Sequence, residues 1–187
     1  VDEAALEEIY FPGFKAAVQK GHTLALMGAY NLLNGEHCCM SKSLLNEKLR
    51  KDWKFDGVVI SDWGAVHDTK MAAESGLDIE MDVKYQFHEQ YMADPLLKAV
   101  RDGDIEESMV DEKVRNILRM MLRLKMIGPE KKNRKTGAYN TEEHRRAVLD
   151  VARESMILLK NKDHVLPLCT ESGCRVAVIG ANAAAIH

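Results

Sequence analysis

Two short apolar runs separated by a helix-patterned stretch constrain this chain more than any other feature. LALMGAY, Leu24 to Tyr30, is mostly apolar without alternation, which suits a strand buried on both faces, and it is closed by the turn signal Asn34-Gly35. VVI, Val58 to Ile60, is a second such run, introduced by the turn Phe55-Asp56-Gly57. Between them a helix is predicted from about Ser43, with Leu44, Leu45 and Leu49 on one face and Trp53 near its end. After Trp63-Gly64 a short helix is predicted from about Val66 to Glu74, stopped by Gly76, and Leu77-Asp78-Ile79-Glu80 reads as a third short strand. Strand, helix, strand, helix, strand at this spacing marks parallel βα units.

The flanks are helical. EEIYFPGFKAAVQKG reads as a helix broken at Pro12 and Gly13, resumed over FKAAVQK and ended by Gly21. Beyond Met81 the clearest helix starts at Ser108, capped by its hydroxyl with Asp111 in the reciprocal position. It carries Val110, Val114, Ile117, Leu118, Met121 and Leu122 on one stripe and ends at Gly128-Pro129. PEKKNRKTGAYN, residues 129–140, has almost no apolar content and reads as a polar linker. Thr141 then caps a helix with Val148, Val151, Ala152, Ser155, Leu158 and Leu159 on one face, and Val165 to Leu168 turns round Pro167. RVAVIGANAAAIH reads as a strand and a glycine turn at the start of another α/β unit.

A chain of 187 residues, 46% of them apolar, buries a substantial core. A formal charge of -3, with both signs interspersed, excludes a general basic field and with it nucleic acid or an anionic membrane as partner. No apolar run approaches the roughly 18 residues of a membrane span, and VDEAALEEIY has no signal-peptide pattern. The reading is of a soluble piece whose compartment is not written in the sequence. Of four cysteines, Cys169 and Cys174 flank a short turn and are candidates to pair in an oxidising compartment. Cys38 and Cys39 follow His37, but no second pair stands at ligand spacing, so partly buried thiols are preferred to a metal site.

In parallel βα arrangements functional side chains gather at the carboxyl ends of the strands. Those ends carry Met27 and Tyr30, then Asp62 and Trp63, then Asp78 and Glu80. A carboxylate beside an indole fits sugar chemistry, since the indole packs on the apolar face of a pyranose while the carboxylate attacks the anomeric carbon. An Asp after a strand is equally a common cap for the next helix, and the residues alone leave both readings open.

MGAYNLLNG, LLNEKLRKDWKFDGVVISDWGAV and ESGLDIEM, in this order and spacing, resemble glycoside hydrolase family 3, the two-domain β-glucosidase group. ARESMILLKNKDHVLPL followed by RVAVIGANA is similar to that family's passage from barrel to second domain. The resemblance runs from about Ile9 to Asn182. It implies an α/β fold in which residues 1–128 are the last three βα units of a (β/α)8 TIM barrel. Residues 129–140 would be the polar linker and 141–187 a helix and first strand leading into a second α/β sandwich domain. It further implies a retaining glycosidase in which Asp62 is the nucleophile, Trp63 walls the sugar subsite, Tyr30 lies against the nucleophile and Met27 lines the same subsite. A phenol donating to the carboxylate would keep Asp62 ionised. An ordinary half-buried strand tyrosine and a core-filling methionine remain the competing readings for Tyr30 and Met27.

A retaining mechanism needs a second carboxyl about 5 to 5.5 Å from the nucleophile. None of Glu74, Asp78, Glu80, Asp82 and Glu89 matches the family's acid/base, and they are expected to cap helices or line the rim. The chain therefore reads as an inactive cut-out of a β-glucosidase acting on terminal β-D-glucosyl residues of a glucoside or oligosaccharide, with no cofactor and no metal. Its uncovered barrel edges are expected to pair copies as a homodimer. A β-xylosidase or N-acetylglucosaminidase of the family, a non-catalytic sugar-binding relative, and a dinucleotide site at VAVIGANAAA are the alternatives.

Overall fold

The computed structural model describes residues 1–84, 86–168, 173 and 175–184. They fall into two compact units, Val1–Asn133 and Arg134–His187.

The first unit opens with helix α1 (Glu3–Ala5), capped by Asp2, a π-wound stretch Leu6–Tyr10 and helix α2 (Phe11–Gln19). The break expected at Pro12 and Gly13 is absent. The wider turns of the π stretch shift the register so that Pro12 lies in the first turn of α2, where a missing N–H leaves no helical bond unmade. Strand β1 (Ala25–Met27) is shorter than the run Leu24 to Tyr30, and Ala25 and Met27 are exposed rather than buried on both faces. Its ladder ends where the Gly28 N–H reaches the Ile60 carbonyl at 2.7 Å. There the Cys39 sulfur occupies the space in which any Cβ on residue 28 would stand. The chain then turns into the hairpin β2 (Leu32–Leu33) and β3 (Glu36–His37), with Asn34 and Gly35 both at positive φ, as a two-residue hairpin loop requires.

A π-wound helix, Ser43–Asp52, buries Leu45 and Leu49 and delivers Trp53 into the core. Trp53 meets Phe11 edge-on with ring centroids 5.3 Å apart. Strand β4 (Val58–Ile60) runs parallel to β1, with Leu26 opposite Val59. Helix α3 (Thr69–Glu74) starts three residues later than the pattern predicts, because the Asp68 carboxylate caps the Met71 N–H at 2.7 Å. The third strand is reduced to a single parallel bridge between Ile60 and Ile79. At the preceding position the Val59 N–H is taken by the side chain of Asp78, at 2.7 Å, and not by a backbone carbonyl, so no longer ladder forms.

Helices α4 (Asp94–Arg101) and α5 (Glu107–Arg123) complete the unit. The Ser108–Asp111 cap does not form: Ser108 donates to Glu106 and α5 begins one residue earlier. The face that α5 buries is also not the expected one. Lys113 and Asn116 are buried, whereas Val114, Leu118 and Leu122 are exposed. Chain entering the strands presents carbonyls that need donors, and the Lys113 ammonium supplies them to Ala72, Ser75 and Leu77 at 3.3, 2.9 and 2.6 Å.

In the second unit Thr141 caps helix α6 (Glu142–Glu154) by accepting the His144 N–H at 3.2 Å, as predicted. The helix ends before Leu158 and Leu159, which are exposed. The Asn161 amide closes a loop on both backbone groups of Leu166 at 2.8 and 3.0 Å. Residues 175–179 form no strand, since an extended segment becomes one only beside a ladder partner. The Cys169–Cys174 pairing lies outside the described residues.

Two outcomes follow for the stability of the first unit. An alanine Cβ at residue 28 would stand 2.6 Å from Cys39 Sγ. Gly28→Ala is therefore expected to cost about 1–3 kcal/mol through overpacking, and Gly28→Ala/Cys39→Ala to recover part of it in thermal denaturation. Burial, countered by Asp78 and reinforced by Arg50, pushes the Lys113 ammonium down to about 8 from 10.5. Between those values the unfolded chain holds a proton that the folded chain has released, so stability rises with pH across that window. Urea midpoints should therefore show the advantage of wild type over Lys113→Met growing by up to about 3 kcal/mol from pH 7.5 to 10.5. Parallel pH profiles would refute this.

Candidate functional site

The site is built on the carboxyl end of β4. Ser61, fully buried, ties this end to the next segment: its N–H donates to the Ile79 carbonyl at 2.9 Å and its hydroxyl accepts the Met81 N–H at 2.8 Å. The same hydroxyl donates to the Asp62 carbonyl at 2.9 Å. The chain then reverses through Asp62-Trp63-Gly64-Ala65, closed by the Ala65 N–H on the Asp62 carbonyl at 3.2 Å and fastened by the Gly64 N–H on Met81 at 3.0 Å. Asp62 is half-buried on this turn and Trp63 is exposed. Among the described residues the one donor to the Asp62 carboxylate is the Trp63 N–H, 2.8 Å from Oδ1. The turn thus fixes the carboxylate's orientation, and among the described residues no donor is assigned to its second oxygen.

Tyr30 stands on the loop after β1 and comes to this turn from the other strand. Its hydroxyl donates to the Trp63 carbonyl. The phenol was expected to donate to Asp62 itself. It instead braces the turn, because the Trp63 carbonyl presents an acceptor that the turn leaves without a backbone donor. Loss of solvation, with the Asp62 charge adding to it, raises the Tyr30 phenol above its ordinary value, so it remains a donor. Met27, expected in the same subsite, stands at the end of β1 opposite Ile60. It lines an apolar cavity of about 320 Å³ with Tyr10, Phe14, Leu26 and Trp53, and the lining of that cavity includes none of Asp62, Trp63 and Tyr30.

Cys39 is a member of this group that sequence reasoning treated only as a thiol. Its sulfur donates to the Ala29 carbonyl at 3.4 Å, which ties Cys39 to the loop that carries Tyr30. Burial raises its thiol above the ordinary value and keeps it protonated. His37 meets His67 with ring centroids 4.2 Å apart and the planes tilted by 42°. Among the described residues no three His, Cys, Asp or Glu side chains gather as metal ligands.

Of the other carboxylates the sequence offered, Glu89 is exposed, and Glu74, Asp78, Glu80 and Asp82 hold backbone groups or ion pairs. Glu80 accepts the Tyr91 and Met92 N–H groups at 3.2 and 2.6 Å, and burial raises its carboxyl despite them. Asp82 accepts the Val83 N–H at 2.6 Å and faces Lys84. Glu74 pairs with Lys42 at 2.5 Å, and that hydrogen bond lowers its carboxyl. Asp78 is the most engaged, accepting from Val59, Arg50 and Asn116. The sequence did contain a signal for this last group: Lys113 and Asn116 stand three residues apart on a helix whose neighbouring face is apolar.

The Glycosyl hydrolase family 3 N terminal domain matches residues 1–120. The chain is 39% identical over 197 residues to a β-glucosidase of Bacteroides ovatus, covering 98% of this chain and 26% of that protein. It is 41% identical over 182 residues to the thermostable β-glucosidase B of Acetivibrio thermocellus, covering 97% and 22%. Among solved structures, a β-glucosidase from Streptomyces venezuelae in complex with D-glucose aligns with TM-score 0.71 and 33% identity, over 90% of this chain and 22% of that one. A β-glucosidase from Listeria innocua in complex with glucose aligns with TM-score 0.70 and 30% identity, over 90% and 24%. The chain thus spans about a quarter of the length of these relatives. With the matched domain taking in β1, β4 and the Asp62 turn between Ser61 and Met81, the chain belongs to glycosyl hydrolase family 3.

Proposed function

We propose that this chain is the nucleophile-bearing part of a retaining β-glucosidase, with Asp62 attacking the anomeric carbon of a terminal β-D-glucosyl residue. The observation that carries the reading is the carboxylate on the β4 turn, oriented by the Trp63 N–H, with no donor assigned to its second oxygen among the described residues and an exposed indole beside it. In the first step an oxygen of Asp62 displaces the aglycone oxygen from C1, which leaves with a proton from a general acid, and a glycosyl ester forms. In the second, water gives its proton to the same group acting as base, and its oxygen replaces the ester oxygen at C1. Trp63 offers a flat apolar face to the sugar ring. Tyr30 braces the turn, and Met27, at the end of β1, is read as lining the same subsite.

The acid/base is assigned to no residue here: none of Glu74, Asp78, Glu80, Asp82 and Glu89 matches the family's position for it, and the first four are engaged with backbone groups or ion pairs. In this reading the first unit is the last three βα units of a (β/α)8 barrel, the stretch 129–140 is its linker, and 141–187 leads into a second α/β domain. Parallel pairing of β1 with β4 and the bridge to Ile79 support it. The relatives' names, and the glucose in two of their structures, support glucose over xylose or N-acetylglucosamine as the sugar. The edge of β1 away from β4 is where two copies of the chain alone would pair.

Treatment of the full-length enzyme with a 2-deoxy-2-fluoro glucoside is expected to leave one covalent sugar on Asp62, read by peptide mass spectrometry. Label on another residue overturns the assignment. The chain by itself is expected to release no aryl alcohol from an aryl β-glucoside, since the acid/base carboxyl is missing, and turnover near that of a complete enzyme would refute the fragment reading.

A further inference from the structure

The Asp62 turn is held at its amino side by Ser61, and beyond the β1 ladder the axial position of β4 is set by contacts at its middle residue, Val59, and at Gly57 before it. The Asp78 carboxylate is almost wholly buried, its side chain 1% exposed. Its Oδ2 accepts the Val59 N–H at 2.7 Å and Arg50 Nη2 at 2.6 Å, and its Oδ1 accepts Asn116 Nδ2 at 2.9 Å. The Asp78 and Ile79 N–H groups donate to the Val59 carbonyl at 2.9 and 3.1 Å. Both backbone groups of Val59 are therefore satisfied by residues 78 and 79, one of them through a side chain. Arg50 spreads over the same region, with Nη1 on the Gly57 carbonyl at 3.1 Å, and Nε and Nη2 on the Gly76 carbonyl at 3.2 and 2.7 Å. One guanidinium thus ties the entry of β4 to the entry of the 77–80 segment, and one carboxylate locks the two in register three residues before Asp62.

We propose that Asp78, held by Arg50 and Asn116, is a positioning residue for Asp62, which it serves by fixing the register of β4 through the Val59 N–H. This rests on the reading of Asp62 as nucleophile. A side-chain acceptor at this point is adjustable in a way a backbone ladder is not. Its loss lets β4 shift along its axis, and a displacement near 1 Å at the reacting carboxylate lowers a rate by about 10²-fold while leaving a bound sugar in place. Asparagine at 78 keeps an oxygen for Val59 and loses the charge. Alanine loses both. Lysine at 50 keeps the charge but offers one nitrogen where the guanidinium's three reach Gly57, Gly76 and Asp78.

The test measures the rate of covalent labelling by the 2-deoxy-2-fluoro glucoside in the full-length enzyme, beside the glucose dissociation constant and the folded fraction by circular dichroism. Asp78→Ala is expected to label about 10²-fold more slowly per folded molecule, Asp78→Asn within about tenfold of wild type, and Arg50→Lys about tenfold more slowly. Glucose affinity should stay within about threefold throughout. Where Asp78→Ala does not fold, Asp78→Asn and Arg50→Lys carry the test: unchanged labelling rates in both overturn the proposal. Labelling that falls only in proportion to the folded fraction makes the network merely structural and overturns it too. If wild type is labelled on a residue other than Asp62, the functional reading fails first and this inference with it. Wild type labelled on Asp62 with insensitive variants sinks the inference alone.

Discussion

The buried pair of Arg50 and Asp78, 2.6 Å apart, is the interaction on which the rest of the first unit depends. Taking a carboxylate and a guanidinium out of water is unfavourable, and their attraction offsets this only where the remaining lone pairs and protons find partners. Here they do: Asp78 also accepts from Val59 and Asn116, and Arg50 also donates to Gly57 and Gly76. Removing one partner of such a pair typically costs about 3–5 kcal/mol, because the other is left buried and uncompensated.

From that pair a polar layer spreads across the amino ends of the strands. Asn116 passes the network to Arg119, whose Nη1 also reaches the Asp56 carbonyl at 2.9 Å. Arg123 pairs with the Asp56 carboxylate, and their hydrogen bond lowers that carboxyl. Lys113 covers the carbonyls at the end of α3 and the start of the 77–80 segment. The apolar core around Phe11, Trp53, Val59 and Leu77 is thus closed at one end by cations on carbonyls, while the opposite end of β4 carries the Asp62 turn. This division, in which one end of the strands is braced and the other is chemically equipped, is what parallel βα architecture provides.

The Asp62 turn has a second set of braces, and they differ in kind. Ser61, Cys39 and Tyr30 each satisfy a backbone group of the turn or of the loop beside it. Each of these donors is neutral. The Tyr30 phenol, raised by lost solvation and by Asp62, stays protonated in this role.

Much of this was legible in order along the chain. The strand Val58 to Ile60, the turn at Asn34-Gly35, the leucine face of the Ser43 helix, the Thr141 cap and the pairing of Asp62 with Trp63 at a strand end are local patterns, fixed by residues within a few positions of one another. What the tertiary structure alone decided is which groups across the chain complete one another. Asp78 takes the Val59 N–H and so shortens the third strand, Lys113 and Asn116 rather than the valine and leucine stripe of α5 are buried, and Tyr30 bonds the Trp63 carbonyl rather than the Asp62 carboxylate. The physical reason is common to all three. Periodicity reports where apolar surface lies, whereas a buried backbone donor or acceptor must be matched by whatever side chain the fold brings within about 3 Å, and that partner stands 19 to 41 residues away in these cases.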